Sequence, residues 1–303
     1  MRNRSGYWAD NYQQNKLSVD KAIAKIQSGQ RIFIGSSCGE PQHLVKGLAD
    51  ASLLFTDLEI VRLFSAESTS LSRIADRSKS QNLNIRSFYL GSAGSESFRG
   101  DLRFITPINL SEIDRLIKSR MLPIQVALIQ VTPPDDFGWM SLGISVDVTA
   151  AAAEAADLVI AQVNRNMPRV QGRSNIHVND IDIFVEHDEE LRAIGVYPDV
   201  AAARNIARYV SRLVDDGSTM QMSLGATSDA NIAALMEKND LGIHTQYVTN
   251  TIMKLMAMGV VTNRKKGFNE GKIICSNAIG TKDLYDLLDN NSAVEFHPSK
   301  YVN

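Results

Sequence analysis

Apolar positions along this chain recur with two periods. Between Leu17 and Ser28 they fall at helical spacing, with Ala22, Ile23 and Ile26 on one face, Ser18 as N-cap and Gly29 as stop. RIFIG then predicts a short buried strand, and the loop GSSCGEP leads into a helix over QHLVKGLADA whose first turn suits Pro41. The alternation continues through strands at LEIVRLF, IRSFYLG and RFITP, a helix capped by Ser111, and the apolar strand IQVALIQV. Beyond TPPDDFGWMS, the Ala-rich DVTAAAAEAA predicts a helix and DLVIAQV a further strand. Such continuous apolar runs belong to strands buried on both faces, so the expected class is α/β with a mainly parallel sheet flanked by helices.

The loop NRNMPRVQGRSN leads to a polar extended stretch, IHVNDIDIFVEHDEE. The charges and turn residues of EHDEELRAIGVYPD place a domain boundary near residue 192, which divides the chain into 1–192 and 193–303. A long helix is expected at about 200–214. A glycine turn follows, then a helix from Asp229 to Lys238 and a strand from Leu241 to Val248. With Gly29 laid on Gly217, the two halves share an order of elements, which suggests two related open α/β domains. Past RFITP the first half continues with further strands, whereas the second half stops at HPSKYVN. An open sheet ending there leaves an uncovered edge. The second domain is therefore expected to be incomplete, finished by further sequence or by association with another chain, a homo-oligomer included.

Two blocks carry a resemblance: LPIQVALIQVTPPDDFGWMSLGISVDVTAAAAEAADLVIAQVNRNMPRVQGRSNIHVNDID, and the segment from GATSDANIAALMEKNDLGIHTQYVTNT to KDLYDLLDNN. Both resemble the acetyl-CoA hydrolase/4-hydroxybutyrate CoA-transferase family, and the resemblance extends from about Gly35 to Asn303. It implies an enzyme that moves CoA between an acyl-CoA and a small carboxylate, with coenzyme A as substrate and no metal. It also implies covalent relay through a glutamate in the pattern GIHTE-x-x-(S/T)-D-G. That glutamate corresponds to Gln246, and the pattern's Asp and Gly correspond to Asn250 and Thr251. A carboxamide donates and accepts hydrogen bonds but is not a nucleophile. The alternative expectation is a catalytically inactive or regulatory acyl-CoA-binding protein on the same scaffold.

Candidate site residues gather around that position. The N–H groups of Gly225 and Ala226, ahead of a helix, are placed to stabilise a thioester oxyanion. His244 shares the strand with Gln246, two residues before it, so a regular strand points both to one side. In the loop from Pro133 to Gly143, Phe137, Trp139 and Met140 offer apolar surface for an acyl pocket and Ser141 a polar contact. Asn164, Met167 and Gly172 form a weaker case of the same kind. Glu40 in GSSCGEP and Glu96 in GSAGSESF are the candidate replacement carboxylates. The run Arg264-Lys265-Lys266 reads as a solvated turn or a contact for CoA phosphates.

Composition narrows the partners. The chain has 303 residues, 44% hydrophobic and 22% charged, with a formal net charge of -2. That charge carries no global bias towards nucleic acid or an anionic membrane, and neither is expected as a principal partner. Cys38 and Cys275 lie far apart without CxxC spacing, which fits reduced buried thiols in a cytoplasmic protein. No apolar run approaches the roughly 18 residues of a membrane span, and no apolar segment follows the basic N-terminus. GxxxxGK(S/T), GxGxxG and HExxH are absent, so neither a nucleotide loop nor a metal site is expected.

Overall fold

The computed structural model describes residues 7–63, 83–88, 103–195 and 200–303. The first half forms a sheet of seven strands that are parallel throughout. Its members are β1 (Arg31–Ile34), β2 (Glu59–Arg62), β3 (Asn84–Ser87), β4 (Arg103–Ile105) and β5 (Val126–Val131). After a short β6 (Trp139–Ser141) come β7 (Leu158–Val163), then β8 (Gln171–Gly172), β9 (Asn175–His177) and β10 (Ile183–Glu186). The sheet order is β10-β7-β5-β1-β2-β3-β4, so the all-buried β5 lies next to β1, near the middle. Its apolar run is explained by that place: both faces are covered.

Side-chain alternation along β1 divides the core. Ile32 and Ile34 pack with Ile23, Leu44 and Leu48 from α2 (Val19–Ile23) and α3 (Gln42–Asp50), behind an N-terminal α1 (Trp8–Gln14). Phe33 faces the other layer with Ile113 and Ile117 of α4 (Leu110–Lys118) and Ala152 of α5 (Thr149–Ala155). The N-cap of α4 is Asn109, two residues before the expected Ser111. The layer containing Phe33 continues without a break into the second half, through Ile243, Val248, Ile273 and Phe296.

The second half runs α6 (Ala201–Leu213), β11 (Thr219–Met220), α7 (Ala226–Ala234), β12 (Gly242–Ile243), β13 (Tyr247–Val248) and α8 (Asn250–Ala257). It ends with β14 (Ile273–Cys275), β15 (Asn277–Ala278), α9 (Lys282–Leu288), β16 (Val294–Phe296) and α10 (Ser299–Val302). Strands β14, β16 and β8 are parallel neighbours, and a bridge from His244 to Ile274 ties the end of β12 to β14. A strand that precedes residue 192 thus pairs within the second-half sheet. Only glycine serves at position 172 of β8: its φ is +94° and a Cβ there would sit 2.5 Å from the Phe296 carbonyl oxygen.

The strand expected from Leu241 to Val248 is broken between β12 and β13. Thr245 turns its hydroxyl back onto the chain, donating to Met222 O at 2.7 Å and accepting from Met222 N at 3.2 Å. Gln246 O then accepts from both Ser276 N and Asn277 N, at 3.2 and 3.0 Å, where a regular ladder would supply one donor. The chain bends there and resumes as β13, paired with β15. Helix α7 begins at Ala226, three residues before the expected Asp229, because Gly225 at its N-cap has φ +130° and ψ 169° and turns the chain into the helix at once.

Candidate active site

Gln246 sits at the bend, at the carboxyl end of β12, where open α/β sheets bind ligands. Its side chain is buried, at 5% exposure, but its neighbours are polar. Asn303 Nδ2 donates to Gln246 Oε1 at 2.5 Å, and Gln246 Nε2 lies 3.5 Å from Ser299 Oγ. His244 reaches the same segment of chain, with Nε2 3.2 Å from Val302 O. His244 and Gln246 therefore both face α10, even though the strand between them is irregular. Burial lowers the His244 pKa, and the nearby Lys266 ammonium adds to the shift.

Thr245, next to Gln246, holds Met222, three residues before Gly225, through its hydroxyl. Gly225 O accepts the Asp229 amide at 3.1 Å, closing the first helical turn. Asp229 also accepts from Thr251 Oγ1 at 3.1 Å, linking α7 to the start of α8. A narrow cleft lies here among Leu224, Asp229, Thr249, Asn250 and Gly280. Asn250 uses both ends of its amide on Thr281: Nδ2 donates to Oγ1 at 2.8 Å and Oδ1 accepts from the main-chain N at 2.9 Å.

The other expected residues are dispersed. Met140 and Ser141 are fully buried, and Ser141 Oγ accepts from Gly143 N and Val170 N at 3.1 and 3.3 Å, which folds the loop from within. Phe137 and Trp139 are exposed, at 76% and 45%, on the β6–β9 ribbon, where the Trp139 ring meets His177 edge-on at 5.0 Å. Glu40 is buried beside the carboxyl end of β1 and accepts from Gln42 Nε2 at 2.9 Å. Glu96 lies outside the described residues.

Asn164 belongs to a buried amide chain, donating to Gln130 Oε1 at 2.7 Å, while Gln130 Nε2 donates to Glu40 O at 3.1 Å. Met167 is a core residue packed on Gly143. Lys266 is not solvated as the basic run suggested: it is buried and donates to Ile243 O and Lys272 O at 2.8 and 2.7 Å. Burial pulls its pKa down to about 8. Cys38 and Cys275 are free and buried, and burial raises both thiol pKa values.

Ser299 and Asn303 belong to no motif, lie 53 and 57 residues beyond Gln246, and meet it only through the fold. Asp147 is a fully buried carboxylate at the seam between the halves. A carboxylate inside an apolar run, as in ISVDVTAAA, was the one available signal.

Comparison with known proteins decides the family. The family model for the acetyl-CoA hydrolase/transferase N-terminal domain matches residues 1–195. Over 296 residues the chain is 35% identical to the 4-hydroxybutyrate coenzyme A transferase of Clostridium kluyveri, covering 98% of this chain and 68% of that protein. The chain belongs to the acetyl-CoA hydrolase/transferase family. Among solved structures of similar fold, RipA from Yersinia pestis superposes with a TM-score of 0.89 at 28% identity, covering 98% of this chain and 71% of that one. The 4-hydroxybutyrate CoA-transferase from Porphyromonas gingivalis gives a TM-score of 0.81 at 27% identity, covering 98% and 70%. As a member of the acetyl-CoA hydrolase/transferase family the chain is an enzyme of the CoA-transferase class. No helix among the described residues is long and apolar enough to cross a membrane.

Proposed function

We propose that this chain handles an acyl-CoA and a small carboxylate, exchanging CoA between them or hydrolysing the thioester, at the strand tip that carries Gln246. The observation that carries the reading is the set of groups around that side chain. Asn303 Nδ2 and the Ser299 hydroxyl can both donate, and the tip lies at the carboxyl end of β12. Such a setting suits a carboxylate as well as an amide.

In covalent relay a glutamate carboxylate adds to the thioester carbonyl and expels CoA thiolate, leaving an acyl-glutamyl anhydride. The thiolate then adds to the glutamyl carbonyl and expels the acyl group as its carboxylate, leaving an enzyme thioester. An acceptor carboxylate runs the steps in reverse. Dividing the exchange in this way lowers each barrier. The neutral amide of Gln246 does not open the sequence, so in the native chain Gln246 is assigned to hydrogen-bonding the substrate while the acceptor carboxylate or water attacks the thioester directly, and covalent relay at this tip belongs to a chain with a carboxylate at position 246. The Gly225 and Ala226 N–H groups, at the start of α7, are assigned to the thioester oxygen, and His244 to a polar contact with substrate. Exposed Phe137 and Trp139 are assigned to the acyl chain, with Met140 and Ser141 shaping their loop from inside and Glu40 a polar contact at the first sheet. The division into 1–192 and 193–303 is kept as a proposal, as is a cytoplasmic location, which fits the free thiols.

One observation favours a second reading. Gln246 uses both ends of its amide, accepting from Asn303 and lying within reach of Ser299 as donor, which suits a catalytically inactive or regulatory acyl-CoA-binding protein. The test is to incubate the protein with acetyl-CoA and isotopically labelled butyrate, follow labelled butyryl-CoA by mass spectrometry, and measure acetyl-CoA binding by calorimetry. Turnover that Gln246→Ala abolishes supports exchange at this tip. Binding without turnover supports the second reading, and absence of binding overturns both.

A further inference from the structure

The residue that organises the surroundings of Gln246 does not touch it. Asp147 is wholly buried at the start of α5. Its Oδ1 accepts from Thr149 N and Thr149 Oγ1, both at 2.9 Å, and its Oδ2 accepts from Ser36 Oγ and from Asn277 Nδ2, the latter at 3.1 Å. Four donors satisfy the carboxylate, so it is not placed to attack a substrate. What distinguishes it is where the donors lead. Asn277 N donates to Gln246 O at 3.0 Å. The Asp147 main-chain oxygen accepts from Ser299 N at 3.1 Å, and Ser299 Oγ faces Gln246 Nε2. The main chain and the side chain of residue 246 are thus each one residue removed from Asp147.

We propose that Asp147 is a positioning residue, holding Asn277 through its carboxylate and Ser299 through its carbonyl so that position 246 is fixed from both sides. The inference rests on the reading of residue 246 as the reacting position. The physical ground is the sensitivity of acyl transfer to placement: an error of about 1 Å at a reacting group costs on the order of 100-fold in rate. The chain bends at Gln246 between two core residues, Ile243 and Val248, and the polar residues of the bend itself are held by hydrogen bonds, so losing one leaves room for such an error. Ser36 and Thr149 anchor the carboxylate in the first half, so the tip is referenced to the larger sheet.

The test uses reciprocal exchange of acid and amide. Asp147→Asn turns an N–H group towards Asn277 Nδ2 or Ser36, so the link survives only if the Asn277 amide turns over to present its unpartnered Oδ1, and Asn277→Ala, which has no such escape, is made beside it. Adding Asn277→Asp restores an acceptor on the other side and returns the charge to the same place. Both are made in the native chain and in the Gln246→Glu chain. Hydrogen exchange of the peptide spanning 244–249 is expected to quicken in Asp147→Asn and to slow again in the double variant. In the Gln246→Glu chain, kcat is expected to fall on the order of 10- to 100-fold with the KM for acyl-CoA within about twofold, and to recover in the double variant.

Unchanged exchange at 244–249 in both Asp147→Asn and Asn277→Ala overturns the proposal, as does a kcat loss that the double variant fails to rescue. If Gln246→Glu transfers no CoA, the reading of residue 246 fails, while the exchange measurement still decides whether Asp147 holds the tip. Should Asp147→Asn not fold, Asn277→Ala cuts the same link from the far side, and its 244–249 exchange is read by the same criteria.

Discussion

Asn303 Nδ2 and Gln246 Oε1 approach to 2.5 Å, although 57 residues of chain separate them. The contact joins a buried strand bend to an exposed residue that follows α10. Removing the donor leaves the Gln246 oxygen to whatever water enters past that exposed position, so the cost falls at the low end of the range for an unpaired polar group, about 1 kcal/mol. Asn303→Leu is therefore expected to lower the free energy of unfolding by that amount in urea titration, whereas an exposed surface site changes it by less than about 0.5 kcal/mol.

Gln246→Glu is expected to fold, because the Ser299 hydroxyl and the Asn303 amide both donate to the new carboxylate. Transfer between acetyl-CoA and butyrate is expected to rise by at least about 100-fold, because the carboxylate opens a covalent route that the amide cannot. Mass spectrometry of trypsin-digested protein quenched during turnover should show a CoA adduct on the peptide containing residue 246. An unmodified peptide in an active variant would locate the chemistry elsewhere.

Asp114 gives a pH signature. It is buried on α4 with one oxygen lacking a partner, and burial pushes its pKa up from 3.8 to about 6. The native state then keeps a proton that the unfolded chain releases, so this residue's contribution is most favourable below pH 4 and is lost as pH rises through 6. Asp114→Asn does not titrate. It is expected to be more stable than the native chain by up to about 3 kcal/mol at pH 7.5, with the difference shrinking towards pH 4. Paired thermal scans at the two pH values measure it.

Lys266 behaves with the opposite sign. Its pKa is held down at about 8 by burial, so between pH 8 and 10 the unfolded chain carries a proton that the native state lacks. Stability from this group rises across that interval. In Lys266→Met the rise is expected to flatten, whatever the variant loses at Ile243 O and Lys272 O, and denaturant titrations at pH 8 and 10 compare the two slopes.

Gly225→Ala isolates the turn ahead of α7. Nothing lies within 4 Å of where the added Cβ would stand, so the cost comes from the φ of +130° alone. Backbone strain of this kind costs about 1–3 kcal/mol. Calorimetry is expected to show a loss in that range. If the Gly225 N–H group serves the thioester oxygen, the Gln246→Glu chain should also lose kcat when the glycine is replaced.

Local patterning determined a good deal. The uninterrupted apolar runs at β1, β5 and β7 required strands covered on both faces, and the spacing of Ala22, Ile23 and Ile26 required a helix to cover them, so the parallel α/β sheet was legible in advance. The helix expected at 200–214 is α6. Periodicity carries no record of partners brought together by folding. Nothing in the order of residues ties β8 to β16, Asn303 to Gln246 or Asp147 to Asn277, and Lys266 looked solvated because its neighbours in sequence are charged. The break after Ile243 was hidden for the same reason: local propensity favoured one strand, while hydrogen bonds from Met222, Ser276 and Asn277, all distant in sequence, settled where it bends. Short-range sterics and apolar spacing fixed the elements, and long-range hydrogen bonding in a buried polar seam decided what surrounds position 246.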